Sequence, residues 1–421
     1  MQMLRRLRKN PMVDTFLSLK GNARVCIWAE PLWALPYRLY IPYVTLYMAA
    51  LGLTAAEIGI IATVTFIVNI ISSILSGIAA DKMGRRRATL VFDLLSQTMP
   101  AILWMLSQNF TWFLVASLFY GMWRFSVCSW GLLLTEGLED DLVVRCYSLA
   151  SLTGAIVSFI APVSKFFVGH FGLVPTMRFY YGFTAVLFTL KFILVYRYST
   201  ETEMGLRRME ETKNLSVWQM IKGCVPVCKK LIFEKRMLLV LGLLAILTIV
   251  DNLNVSFWSL YLKNDIGFAK DNVALLSTFK SLITLFAILW IVPKIRLRTF
   301  ERPVVVCWLL FAASQTLFIL TPKGALLIPV LLFSIALEAA ALSVLAPVIE
   351  SLLIVNADPV EKARVMGMVY AVMLLPATFF PTFAGFLMDR FSAAPFCINL
   401  CLFALGIACT IALSKMNHRE E

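Results

Sequence analysis

The chain has 421 residues, of which 60% are hydrophobic and only 15% charged, and its mean hydropathy is +0.82. Those values exclude an ordinary soluble domain, which runs nearer half apolar and a quarter charged. The net charge of +13 would suit a nucleic-acid partner, but where the charges fall along the chain excludes that class.

Residues 1–25 are predicted to be a basic cytoplasmic segment. No short apolar stretch with a small-residue cleavage site follows Arg5, Arg6, Arg8 and Lys9, so no cleaved signal peptide is expected. Twelve apolar runs follow, at 26–49, 56–80, 88–107, 110–134, 147–169, 177–197, 238–262, 272–292, 303–320, 325–349, 364–388 and 394–414. Crossing a bilayer takes roughly 20 residues, so each run is predicted to be a transmembrane helix. The first six form one bundle over 26–197 and the last six another over 238–414, with a short tail at 415–421. Residues 198–237 form a polar cytoplasmic linker. Its Ser216-Val217-Trp218-Gln219 has the spacing of a capping box, which predicts a short amphipathic helix serving as a tether. The expected fold class is therefore all-α integral membrane, with twelve helices in two pseudo-symmetric bundles.

With a cytoplasmic N-terminus, about 28 of the 38 Lys and Arg fall in inner loops and tails and about 5 outside. This asymmetry places both termini in the cytoplasm of a plasma-membrane protein. The positive charge is topology, and no nucleic-acid partner is expected. The nine cysteines contain no C-x-x-C pair. Cys224/Cys228 and Cys397/Cys401 lack the further ligands of a zinc site, so no metal or other cofactor is expected.

A faint duplication relates the halves. Arg145 precedes Pro162 by the interval at which Arg364 precedes Pro381, and one common shift lays Gly52 on Gly267 and Asp81 on Arg296. Parallel repeats about an axis along the membrane normal suit a transporter.

A charge at the bilayer centre costs about 2.5–3.5 kcal/mol on insertion scales, so it must pair or face a watery cavity. The spans carry Glu30, Arg38, Arg124, Lys165, Asp251, Lys280 and Glu338. Glu30, Trp33, Tyr37 and Tyr40 follow helical spacing in span 1, and Asp251, Asn254, Trp258 and Tyr261 do so in span 7. Carboxylates and amides beside aromatic faces suit a polar solute. Arg124 and Glu338 are expected to bridge each other in an empty cavity, while Glu30 and Arg38 either join that cavity or pair along one helix.

The string Gly77-Ile78-Ala79-Ala80-Asp81-Lys82-Met83-Gly84-Arg85-Arg86-Arg87 resembles the cytoplasmic loop signature of the major facilitator superfamily, G-x-x-x-D-[RK]-x-G-[RK]-[RK]. It matches at every defining position. The resemblance implies a twelve-helix secondary transporter with helices 1, 4, 7 and 10 around the cavity, where five of the seven charges lie. It also implies a cytoplasmic latch. Gly77 and Gly84 would allow close approach and a tight turn, Asp81 would cap helix 11 near Arg364, and Arg85, Arg86 and Arg87 would bind acids among Asp93, Glu136, Asp140 and Asp141. Arg145 belongs to the same inner side. Because helices 5 and 8 meet across the halves in that family, Lys165 and Lys280 are expected at an outer gate.

Two family patterns are altered. Ser117 stands where R-x-x-Q-G would place its arginine, and the antiporter pattern G-P-x-x-G-G becomes Ala161-Pro162-Val163-Ser164-Lys165-Phe166. Losing those glycines leans toward symport. No phosphate-binding loop for ATP is present, and His170 and His418 lie at span ends or beyond. Coupling therefore falls to a carboxylate whose affinity for a proton is raised by burial, in the order Glu338, Asp251, Glu30, with sodium as the other coupling ion. The expected function is proton symport of a small polar solute, sugar or glycoside-like, by a monomer. The alternative is drug efflux by proton antiport. No enzymatic constellation is present.

Overall fold

A computed structural model describes residues 11–160, 162–223, 234–268, 272–291, 300–321, 324, 326–356 and 371–420. Among these there is no strand, and helix occupies every one of the twelve expected runs. Among the described residues eight helices are long and apolar enough to cross a membrane, or nine if Arg145–Ser158 and Val163–Phe171, bent by 45°, count as one span.

The remaining three runs are broken or short for reasons written in their residues. Span 1 is α1 (Gly21–Tyr40), a 3₁₀ turn (Ile41–Tyr43) and α2 (Val44–Ala50). Pro31 and Pro36 inside α1, and Pro42 in the turn, each withhold a backbone donor and crowd the preceding turn. Span 4 is α3 (Phe110–Tyr120) and α4 (Trp123–Thr135), interrupted at Gly121. Span 8 keeps its apolar stretch within Leu275–Ala287.

The chain divides into two compact units. Unit 1 comprises 1–41, 71–160 and 175–221, and unit 2 comprises 42–70, 161–174 and 222–421. The division leaves the midpoint of the sequence to one side, because the ends of spans 1 and 2 remote from the 84 turn, together with the end of span 5, group with the C-terminal helices.

In unit 1, the second half of span 2 (α5, Ala55–Met83) turns into span 3 at Gly84. Its φ of +82° is open to glycine and strained for other residues. A Cβ there would also sit 2.5 Å from Glu201 Oε2. Span 3 is α6 (Arg85–Asp93), a π-helical turn (Leu94–Thr98) and α7 (Met99–Leu106). Span 6 is α8 (Leu173–Tyr198), and the linker opens with α9 (Glu203–Thr212). Thr202 caps α9 by accepting from Gly205 N. The expected capping box is present: Gln219 Oε1 accepts from Ser216 N at 2.8 Å, and Ser216 Oγ accepts from Gln219 N at 3.1 Å. Trp218 beside it is exposed.

In unit 2, span 7 is α10 (Lys235–Tyr261), span 8 α11 (Val273–Trp290), span 9 α12 (Glu301–Ile319) and span 10 α13 (Leu327–Asn356). Span 11 ends in α14 (Phe379–Met388), and span 12 is α15 (Ala394–Glu420). The first half of span 2 packs on α14 with backbone almost touching backbone. A Cβ on Gly59 would run into Pro381 O, and one on Gly385 would meet Ala55 O at 2.5 Å. Asp389 accepts from Ala55 N at 3.2 Å and Ala56 N at 3.1 Å, so it caps α5 at the positive end of its dipole. Gly52 and Gly267, paired by the internal duplication, both have positive φ.

Candidate functional site

Three polar constellations interrupt the apolar interior. The first joins spans 7, 8, 9, 10 and 12 in unit 2. Glu338 is 3% exposed and its Oε1 accepts from Lys280 Nζ at 2.8 Å and from Asn254 Nδ2 at 3.2 Å. Asn254 Oδ1 in turn accepts from Asn399 Nδ2 at 3.0 Å and Gln315 Nε2 at 3.4 Å. The two amides hold Asn254 so that its own amide nitrogen faces Glu338. Asp251, one turn before Asn254, is exposed and within electrostatic reach of Lys280 and Glu338.

Glu338, expected to bridge Arg124, is held within its own unit by Lys280 and Asn254. Lys280, expected at an outer gate beside Lys165, is bonded to that carboxylate. Lys165 is exposed on span 5. The aromatic end of the span 7 stripe is packed rather than open: Trp258 stacks on Phe318 at 5.9 Å, and Tyr261 lies against Phe318 and Phe396.

The second constellation lies in unit 1. Glu30 Oε2 accepts from Lys191 Nζ at 2.8 Å, with both side chains buried. The ammonium also lies 5.7 Å from the rings of both Trp33 and Trp130, within cation–π range. Trp33 stacks on Tyr37 at 4.7 Å, and Tyr40 continues the cluster to Trp104 and Tyr181. Glu30 therefore pairs across to span 6 and not along span 1 with Arg38. Arg38 instead reaches span 5, where a Cβ on Gly154 would lie 3.4 Å from its Nη2. The Arg124 guanidinium lies 5.2 Å from the Trp123 ring.

The third is the loop at Gly84. Asp81 accepts from Arg85 Nη1 at 2.9 Å and from Arg208 Nη2 of the linker helix at 3.0 Å. Arg85 also donates to Glu136 through Nε and Nη2, as expected of a loop arginine. Glu201 caps α6 by accepting from Arg85 N at 2.8 Å and Arg86 N at 3.0 Å. Thr202 donates to Glu136. Arg86 donates to Tyr196 O and covers its ring at 4.2 Å, Arg87 is exposed, and Arg145 donates to Thr15. Arg207 and Arg208 hold Glu211, outside the spans, below the usual carboxylate range.

Asp81 is thus bound to the linker, while Arg364 and the start of span 11 lie outside the described residues. A Cβ added to Gly77 would meet nothing within 4 Å, so this glycine makes no close helix contact here. Asp93, expected to answer the loop arginines, is instead buried within span 3. The side chains of Asp140 and Asp141 lie outside those described.

Sequence reasoning left Lys191, Asp93, Gln315, Asn399, Glu201 and Arg208 without these roles. Lys191 carried a usable signal, since a lysine inside an apolar run demands a partner. Gln315 and Asn399 are uncharged and raised no such demand.

The Major Facilitator Superfamily family model matches residues 33–293 and 239–420. No curated protein matches by sequence. Solved structures similar in fold include the nucleoside transporter NupG, at 14% identity, TM-score 0.68, and coverage of 94% of this chain and 99% of that one. A POT family transporter in complex with a thioalcohol conjugated peptide is also 14% identical, with TM-score 0.68 and coverage of 94% and 96%. The human organic anion transporter MFSD10 (TETRAN) gives 14%, 0.64, and coverage of 92% and 98%. With the family model spanning both bundles, and helices of that fold in the same order, the chain belongs to the Major Facilitator Superfamily and is a multi-pass membrane transporter.

Proposed function

We propose that this transporter is a secondary symporter of the plasma membrane. It carries a small polar organic solute of the sugar or glycoside class, with a proton, by alternating access. The observation that carries the reading is the Lys280–Glu338 pair: Lys280 is 38% exposed while Glu338 is only 4% exposed, at side-chain level. An ion pair with one member open and the other anchored by Asn254 can exchange a partner for a solute hydroxyl at low cost. Asp251 offers a second acceptor one turn before Asn254.

Two carboxylates against one ammonium leave one negative charge, which suits a neutral solute accompanied by a cation. With both termini cytoplasmic, the positive-inside rule puts the Gly84 loop inside and the Gly59–Gly385 contact outside. The external contact is closed by Asp389, so transport requires it to part. Altered span 5 glycines favour symport over the drug-efflux alternative.

Proteoliposomes carrying an imposed pH gradient test this. Symport predicts that radiolabelled sugars or glycosides accumulate in the direction of proton flow. Accumulation of amphiphilic dyes against proton flow, with no sugar movement, would overturn it.

A further inference from the structure

The polar linker after span 6 has two halves of opposite character. Residues 201–211 hold four acids, Glu201, Glu203, Glu210 and Glu211, against Arg207 and Arg208. Residues 212–223 hold Lys213 and Lys222 and no acid, and the sequence through 236 adds four more Lys and Arg against Glu234 alone.

The acidic half is fastened to the end of span 2. Arg208 donates to Asp81, Thr212 Oγ1 donates to Asp81 O at 3.3 Å, and Lys82 Nζ donates to Thr212 O at 3.2 Å. A Cβ on Gly84 would lie 2.8 Å from Met209 Sδ, so α9 also packs on the turn. Asp81 and Lys82 directly follow the apolar run of span 2, which sets α9 at the depth where hydrocarbon gives way to headgroups.

The basic half leaves that contact at once. Thr212 is buried, whereas every residue from 213 to 219 is exposed. Leu215, Val217 and Trp218 put three large apolar side chains into four positions there, with Trp218 at 64% exposure. Trp218, Ile221 and Lys222 lie three and four residues apart in the helical stretch 217–223, so they share a face. Tryptophan favours the headgroup level of a bilayer, and lysine lays its stem along apolar surface while its ammonium stays in water. A two-fold contact with a second copy would set these lysines against themselves. Lipid phosphates meet them with the opposite charge.

We propose that residues 213–223 dock on the anionic headgroups of the adjoining leaflet, with Trp218 at headgroup level and Lys213 and Lys222 against lipid phosphates. This docking needs only the membrane-spanning fold, and neither the solute nor the proton, so its failure leaves the symport reading intact.

Hydrogen exchange followed by mass spectrometry, on the full chain in nanodiscs, tests it. Amides of 215–221 should exchange about tenfold or more slowly with phosphatidylglycerol present than in phosphatidylcholine alone, since each lysine near an anionic surface adds attraction. About 0.5 M potassium chloride should remove the difference by screening. Lys213→Ala/Lys222→Ala should remove it as well, and Trp218→Ala should reduce it, while the amides of α9 keep their wild-type protection. Equal exchange in the two lipids overturns the proposal on the wild type alone. So does a difference that survives loss of both lysines, or protection that appears only in discs holding two copies.

Discussion

Two ion pairs of equal length, each within the spans, differ in what surrounds them. Lys191–Glu30 and Lys280–Glu338 both close at 2.8 Å, yet the Lys191 side chain is 6% exposed and Lys280 is 38% exposed. The first is enclosed by aromatic faces. The second is anchored on its acid side by an amide network and open on its base side. The difference teaches that equal pairing leaves unequal freedom: on the proposed reading the enclosed pair is structural, and the pair open on its base side is the one able to trade a partner for a solute hydroxyl.

Removing one member of each pair should separate the two roles. Lys191→Ala leaves Glu30 buried and uncompensated, which costs about 3–5 kcal/mol. It should appear as a strongly lowered thermal unfolding temperature, largely restored in Lys191→Met/Glu30→Gln. A variant melting like the wild type would show that the pair is not sealed. Lys280→Ala should lower solute uptake by about tenfold or more, a loss of about 1.4 kcal/mol or greater in transport free energy. Its melting temperature should fall by less than that of Lys191→Ala, because the Lys280 side chain is less enclosed by the protein than Lys191. Equal loss of stability in both would collapse the comparison.

Smaller effects probe the ends of the spans. Asp389→Asn removes the charge capping α5 and should weaken the contact between span 2 and α14 by about 0.3–1 kcal/mol. Thr63 bonds Thr378 and Thr382 across that contact, so Thr63→Cys should react faster with an external maleimide in the Asp389→Asn background. An unchanged rate would show that the cap does not hold the contact. Arg208→Ala loses only a partly exposed pair and should shift unfolding by about 0.2–1 kcal/mol. Arg85→Ala should cost more, since Arg85 is buried and bonds both Asp81 and Glu136.

The Gly84 turn was legible because its chemistry is local. A positive φ needs glycine, and the arginines after it need nearby acids, of which Glu136 proved to be one. The capping box at Ser216 was legible for the same reason. Asp81 was not, since its partner Arg208 lies 127 residues away and any charged group on that side would have satisfied it. Lys280 shows the same limit. Its presence in span 8 announced a buried charge, but helical spacing gives only a face, and the helix facing it is set by packing.

Composition and hydropathy alone determined that this is a helical membrane protein with twelve apolar runs and a defined sidedness of charge, because bilayer solvation acts on each segment independently. The loop string alone pointed to the superfamily. Only the tertiary structure decided that Glu30 answers Lys191, that Glu338 answers Lys280, and that Asp93 lies in the core rather than at the loop. Those pairings depend on which helix faces come together, and Coulomb attraction in an apolar interior selects the nearest opposite charge whatever its distance along the chain.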